Sequence, residues 1–152
     1  MPKAIVIYES MFGNTKRAAE AIIEGMKGAG VEASLSTPKE LDPNQLTGFD
    51  AIIIGSPNHM GAATSGIKKF IDKLGKLKLA GKLVAVFDTY VAGEYEKAMK
   101  KMEKQIGNKA PGLKLASPGL SIRVEGVRGP IEEGELSKCK EFGTIIANQL
   151  KG

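Results

Sequence analysis

Apolar residues follow one another along this chain in two alternating rhythms. Unbroken runs such as Ala4-Ile5-Val6-Ile7-Tyr8, Ala51-Ile52-Ile53-Ile54 and Leu83-Val84-Ala85-Val86-Phe87 alternate with stretches where apolar residues recur every three or four positions. An unbroken run suits a strand buried on both faces; the wider spacing suits one buried stripe of a helix. The pattern predicts a strand over 3–8, then a helix on Ala19, Ile22, Ile23 and Met26 that stops at Gly28 to Gly30. A flanking strand over 31–36 follows, with Val31, Ala33 and Leu35 inward, and then a stretch that is mostly loop over 37–48. A central strand over 50–54 precedes a helix on Ile67, Phe70, Ile71 and Leu74. The next strand, 82–87, precedes a helix on Tyr95, Ala98, Met99, Met102 and Ile106. Glycine and proline break the pattern over 107–119; a last strand over 120–124, preceded by a short piece at 113–116, leads into a closing helix over 132–150.

Strand–helix units joined by short loops build a doubly wound parallel sheet, because crossovers are right-handed and helices must cover both faces. The expected fold is therefore α/β, three-layered and five-stranded, in one domain over 1–152. Ligands of such sheets bind beyond the carboxyl ends of the strands. The loops 9–15, 56–65 and 88–93 should therefore meet.

Composition adds little to this picture and charge adds a question. With 42% hydrophobic and 26% charged residues in 152, the chain reads as an ordinary globular domain without a membrane span. Met1-Pro2-Lys3 runs straight into a strand and Cys139 is the one cysteine, so a cytoplasmic protein without a disulfide is expected. Cys139 shares an apolar helical stripe with Leu136, Gly143 and Ile146 and is expected to be a buried, inert thiol. The net charge is +5, but the 22 basic residues interleave with 17 acidic ones and no nucleic-acid motif accompanies them. Lys97, Lys100, Lys101 and Lys104, beside Glu94, Glu96 and Glu103, form the densest stretch; it reads first as a solvated helix face and second as a docking patch for an acidic protein.

The candidate chemistry begins at Ser10-Met11-Phe12-Gly13-Asn14-Thr15, between the first strand and the first helix. A helix N-terminus offers unpaired N–H groups and partial positive charge, so it accepts an anion such as phosphate. Gly13 permits close backbone approach; Ser10, Asn14 and Thr15 can add side-chain hydrogen bonds. Other phosphate binders fail on their motifs. Gly81-Lys82-Leu83 lacks the hydroxyl of a P-loop and precedes a strand, and no G-x-G-x-x-G follows the first strand. A phospho-accepting receiver needs an aspartate at the end of the third strand, where Gly55-Ser56 stands.

The first loop, together with Gly55-Ser56-Pro57-Asn58-His59-Met60-Gly61 and Phe87-Asp88-Thr89-Tyr90-Val91-Ala92-Gly93, resembles the flavodoxin family over essentially the whole chain. The resemblance implies strand order 2-1-3-4-5 and non-covalently held FMN. Ser10, Met11, Phe12, Gly13, Asn14 and Thr15 would hold the 5′-phosphate. Ser56, Pro57, Asn58, His59, Met60 and Gly61 would lie along one face and the N5 edge of the ring, with Met60 or His59 as the wall. Thr89, Tyr90, Val91, Ala92 and Gly93 would cover the other face, with Tyr90 stacking. His59, the one histidine, reads first as a loop residue near the ring rather than as a general acid. No metal site is expected. Three departures stand out: Phe12 occupies a position where a hydroxyl is common, the chain has no tryptophan, and it is basic where relatives are acidic. The implied function is a low-potential one-electron carrier between redox proteins, a reductase or ferredoxin-like donor and a flavodoxin-dependent acceptor. The alternatives are a flavodoxin-like NAD(P)H:quinone oxidoreductase and a regulatory module that has lost the cofactor.

Overall fold

The computed structural model describes all 152 residues. Strands β1 (Lys3–Tyr8), β2 (Glu32–Ser36), β3 (Ala51–Pro57), β4 (Leu83–Tyr90), β5 (Lys114–Leu115) and β6 (Leu120–Arg123) alternate with helices α1 (Asn14–Gly28), α2 (Ser65–Leu74), α3 (Lys97–Lys109) and α4 (Glu135–Lys151). The sheet order is β2-β1-β3-β4-β5, with β6 also paired to β4, and the ladders are parallel. Alternate residues of each central strand enter opposite cores. Ala4, Val6, Ile53 and Phe87 pack with α1 and α4. Ile5, Ile7, Ile52, Ile54 and Val86 pack with α2 and α3. Burial on both faces is why these strands read as unbroken apolar runs.

The fifth strand position is split. Lys114–Leu115 pairs with Leu83 and Val84, and Leu120–Arg123 pairs with the segment from Phe87 to Tyr90. Between them Gly119 lies against β4 so closely that a Cβ there would sit 2.4 Å from the Val86 carbonyl oxygen. The chain leaves the ladder at this point and returns to it.

Three expectations change in detail. Residues 37–48 are not all loop: Pro43–Gly48 forms a 3-10 turn, with Asp42 accepting from the Asn44 amide at 3.0 Å and Leu46 buried beneath. An aspartate before a proline is a helix-start signal and was present in the sequence. Strands β3 and β4 run three residues beyond the apolar stretches, because Ser56 pairs with Asp88 and Pro57 with Thr89. Tyr95 does not belong to α3; Glu96 has φ +61°, which places Tyr95 in the turn before the helix.

Helices α1 and α4 cross through two glycines. A Cβ on Gly25 would lie 2.0 Å from the Lys140 carbonyl oxygen, and one on Gly143 would lie 2.1 Å from that of Ile22. Backbone meets backbone there, which seats α4 on the sheet and buries Cys139. Burial pushes the Cys139 thiol up to about 12, with the charge of Glu135 adding to it, so the thiol is protonated and inert at neutral pH. Gly143→Ala is expected to lower stability by roughly 1–3 kcal/mol in urea unfolding, as overpacking typically does. Gly28→Ala, where a Cβ meets nothing, should be neutral or stabilising by about 0.5 kcal/mol. Equal effects at the two positions would remove the close-approach explanation.

Candidate functional site

At the carboxyl edge of the sheet the chain opens a cleft of about 530 Å³, partly continuous with solvent. Its first wall is the β1–α1 turn: Ser10, Met11, Phe12, Asn14 and Thr15 line it. Gly13 holds this turn with φ +90°, and its amide donates to Ser10 Oγ at 2.9 Å. The first-turn amides of α1 at Asn14, Thr15 and Lys16 precede the first intrahelical bond, Arg17 N–H to the Gly13 carbonyl, and are left to a ligand or water. Thr15 is buried, its hydroxyl 2.8 Å from that of Thr89, so one of the two protons is used between them and the other remains available.

The second wall is the end of β3. Pro57, Asn58 and His59 line the cleft. His59 and Ala62 exchange backbone hydrogen bonds at 2.7 and 3.1 Å across Met60 and Gly61, which both have positive φ (54° and 80°). This tight turn carries Met60 outward, 97% exposed, and leaves His59 at the cleft. Ser56 is wholly buried: its hydroxyl donates to the Pro57 carbonyl at 2.8 Å and accepts from the Thr64 amide at 3.0 Å. It shapes the loop rather than facing the cleft. Thr64 also hydrogen-bonds Glu9, which ties the second loop to the first.

The third wall is Thr89, Tyr90 and Val91. The Tyr95 ring meets Tyr90 edge-on, with centroids 5.3 Å apart and planes at 64°. Tyr95 therefore braces Tyr90 from outside, in a chain that has no tryptophan to do so. Burial, and then the charge of Glu135, push the Tyr90 phenol above its ordinary value. Ala92 and Gly93 continue the turn, exposed and away from the cleft lining.

The sequence reading missed a fourth wall, Val124, Gly126 and Val127, in the loop after β6. That loop is fastened to the first. A Cβ on Gly129 would lie 2.5 Å from Asn14 Oδ1, and the Arg128 guanidinium stands 5.6 Å from the centre of the Phe12 ring. Phe12 thus gains a partner where a hydroxyl would have gained a ligand. The available signal was the rule that every strand end of a doubly wound sheet borders the site.

One buried carboxylate holds the second and third walls in place. Asp88 accepts from the Met99 amide at 2.8 Å and from the Ser121 hydroxyl at 2.5 Å. Asn58 accepts from the Ala98 amide at 2.9 Å and donates to the Thr89 carbonyl at 3.1 Å. Both side chains cap the first turn of α3, whose own cap position makes no side-chain bond. The cleft lining itself contains no lysine, arginine, aspartate or glutamate.

The sheet order and the cleft at its carboxyl edge, lined in part by the first turn of α1, define a doubly wound α/β protein of the class that binds ligands at its strand ends. A flavodoxin domain model matches residues 5–123, and the chain belongs to the flavodoxin family. Membership implies a flavin cofactor. A flavodoxin from Clostridium saccharobutylicum is 29% identical, covering 98% of each chain. An NAD(P)H dehydrogenase (quinone) from Archaeoglobus fulgidus is 32% identical over 57% of this chain, which spans 61% of that protein. Among solved structures, a flavodoxin from the domain Archaea matches with a TM-score of 0.86 at 28% identity, covering 99% of each chain.

Burial is the main reason the Asp88 pKa is raised above its ordinary value; the hydrogen bonds from Ser121, Met99 and Asn58 oppose the rise, and the charge of Glu96 adds to it. A raised folded-state pKa contributes stability below the unfolded value, and that contribution is lost as pH rises through the folded value. Asp88→Asn keeps the side-chain shape and one of the two acceptor oxygens, for the Met99 amide, and removes the titration. The stability of the wild-type protein relative to Asp88→Asn should fall as pH is raised from about 4 through the folded value. Parallel pH–stability curves in chemical unfolding would refute this.

Proposed function

We propose that this protein holds FMN non-covalently in the cleft and carries single electrons between redox proteins. The observation that carries the reading is the uncharged cleft itself: free first-turn amides and hydroxyls at one end, and a braced tyrosine opposite a histidine-bearing turn along its length. Bound FMN would supply reversible one- and two-electron chemistry, and the protein supplies position and surroundings. Ser10, Met11, Phe12, Gly13, Asn14 and Thr15 form the phosphate end, through backbone N–H groups and three side chains. Pro57, Asn58 and His59 face one side of the ring, and Thr89, Tyr90 and Val91 the other. Val124, Gly126 and Val127 close the remaining edge. Ser56, Met60, Gly61, Ala92 and Gly93 act on the ligand through the loop shapes they set. The partners are a reductase or ferredoxin-like donor and a flavodoxin-dependent acceptor, in the cytoplasm.

A second reading, direct NAD(P)H:quinone oxidoreduction, has one observation in its favour: the 32% identity to NAD(P)H dehydrogenases (quinone). Against it, this chain spans 61% and 52% of those two proteins. Steady-state NAD(P)H oxidation with benzoquinone separates the two readings; turnover no faster than free FMN supports the carrier.

Purified protein should be yellow, and its apoprotein should bind FMN far more tightly than riboflavin. Thr15→Ala should weaken FMN binding by about tenfold or more, the loss expected of one hydrogen bond to a charged group. Phe12→Leu, which keeps the turn, should cost much less. Equal losses in fluorescence titration would sink the phosphate assignment to this loop.

A further inference from the structure

The charge of this protein is concentrated on one side of the sheet. Helix α2 carries Lys68, Lys69 and Lys73 against Asp72, and helix α3 carries five lysines against Glu103. That layer thus holds eight basic and two acidic helix residues, while α1 and α4 together hold six basic and four acidic. Its acids are occupied within the chain. Asp72 accepts from Gln105 Nε2 at 2.9 Å, and Glu103 accepts from the Gly119 amide at 2.9 Å. Of the eight lysines, only Lys100 is ion-paired, to Glu96 at 3.3 Å. The basic layer reaches the cleft rim at its upper end. A Cβ on Gly61 would lie 3.2 Å from Lys97 Cδ and 4.0 Å from Lys101 Nζ.

Exposed apolar side chains gather at the same rim. Of seven large hydrophobic residues left exposed, five (Met11, Phe12, Met60, Tyr95 and Val127) stand on the loops around the cleft. Met60 is a flexible thioether at the tip of a tight turn, 97% exposed, and the next residue, Gly61, lies against Lys97 and Lys101. A solvated face needs only the charges. Exposed apolar side chains bordered by lysines that outnumber the unpaired Glu94 and Glu125 of the rim loops have the composition of a transient protein interface, where charge steers the encounter and a small apolar centre seats it.

We propose that the α2–α3 edge of the cleft, centred on Met60, Lys97 and Lys101, docks an acidic redox protein whose electron passes across the Met60–Gly61 turn. The proposal rests on the FMN reading above. In the step itself the partner's reduced centre is oxidised by one electron and the flavin is reduced by one, with solvent supplying any proton. The acidic protein is favoured over nucleic acid because the basic layer borders apolar side chains at the mouth of the redox site and carries no base-stacking motif.

The probe is an acidic plant-type [2Fe–2S] ferredoxin, with basic cytochrome c as the counter-probe. Oxidised ferredoxin titrated into the labelled full chain at low salt should shift the amides of Met60, Gly61, Lys97 and Lys101 before those of α1 and α4. Stopped-flow reduction of the oxidised holoprotein by reduced ferredoxin should slow by about tenfold or more between low salt and ~0.5 M salt. The double variant Lys97→Glu/Lys101→Glu should lower the low-salt rate by about tenfold and leave the high-salt rate and flavin content unchanged. Lys27→Glu/Lys114→Glu makes the same change in net charge far from the rim and should stay within about twofold of wild type. Equal losses in the two double variants, a salt-independent rate, faster exchange with cytochrome c, or shifts confined to an added DNA duplex would overturn the docking face. A yellow protein with any of these results leaves the FMN reading standing. A colourless protein that still shows the ferredoxin shifts at α3 removes the FMN reading and keeps the docking face.

Discussion

Asp88 places a carboxylate out of water at the junction of β4, α3 and β6, and the binding edge is assembled around it. Its two oxygens take the Met99 amide and the Ser121 hydroxyl, and that hydroxyl in turn accepts from the Glu96 amide at 3.0 Å. The start of α3, the fifth strand position and the end of β4 are thereby fixed relative to one another. Asn58 extends the arrangement to the end of β3 by capping the preceding amide of α3, that of Ala98, and bonding the Thr89 carbonyl. Thr89 then meets Thr15 in the first loop. A chain of hydrogen bonds thus runs from the first loop to the helix that carries Lys97. Burying a carboxylate costs several kcal/mol, offset only where its oxygens are filled. Here both are filled, by groups that would themselves be unsatisfied without it.

This arrangement explains which parts of the molecule were legible in the sequence. Strands and helices that bury apolar residues declared themselves by period: β1, β3, β4 and the stripes of α1 and α2 stand where Ala4–Tyr8, Ala51–Ile54, Ile22, Met26, Phe70 and Leu74 put them. The strand order came from family likeness, since periodicity alone does not rank neighbours in a parallel sheet. Strand ends were hidden because β3 and β4 finish on Ser56, Asp88 and Thr89, polar residues whose burial depends on partners distant in sequence. Tyr95 fitted the helical period of Ala98 and Met102 by spacing alone, and the left-handed Glu96 removed it from the helix. The three predicted loops do meet. Met60, a candidate wall on account of its soft side chain, stands on two consecutive positive φ values, one at a non-glycine residue, and is 97% exposed. The fourth loop was invisible for a different reason. Its contribution is made by Val124 and Val127, residues with no chemistry of their own, and by Arg128 lying over Phe12.

Glycine sets the distances on which these contacts depend. Gly55 lies under the ring of Phe87, where a Cβ would be 2.0 Å from Cζ; this makes room at the end of β3 for the largest wholly buried side chain. Gly25 and Gly143 bring α4 down onto α1, and Gly119 lets the split fifth strand press on β4. The loop from β6 to α4 is then close enough for Gly129 to touch Asn14. The position of the fourth wall at the first loop therefore depends on helix packing as well as on the fourth wall's own residues.

The cleft and the surface around it use different physics, and the separation has a consequence. Within the cleft every polar contact is a short hydrogen bond or an aromatic edge, and no charged side chain lines it. Such contacts fall off within a few ångströms. The charges sit outside, on α2 and α3, where their influence on a bound redox group or an approaching protein is long-ranged and screened over roughly 10 Å at moderate salt. Substitutions among those lysines therefore change the surface charge without touching the residues that line the cleft. A change of surface charge on this fold needs no new cleft. It needs only a different set of exposed residues on two helices whose buried faces, Ile67, Phe70, Ile71, Met99 and Met102, are already committed to the core.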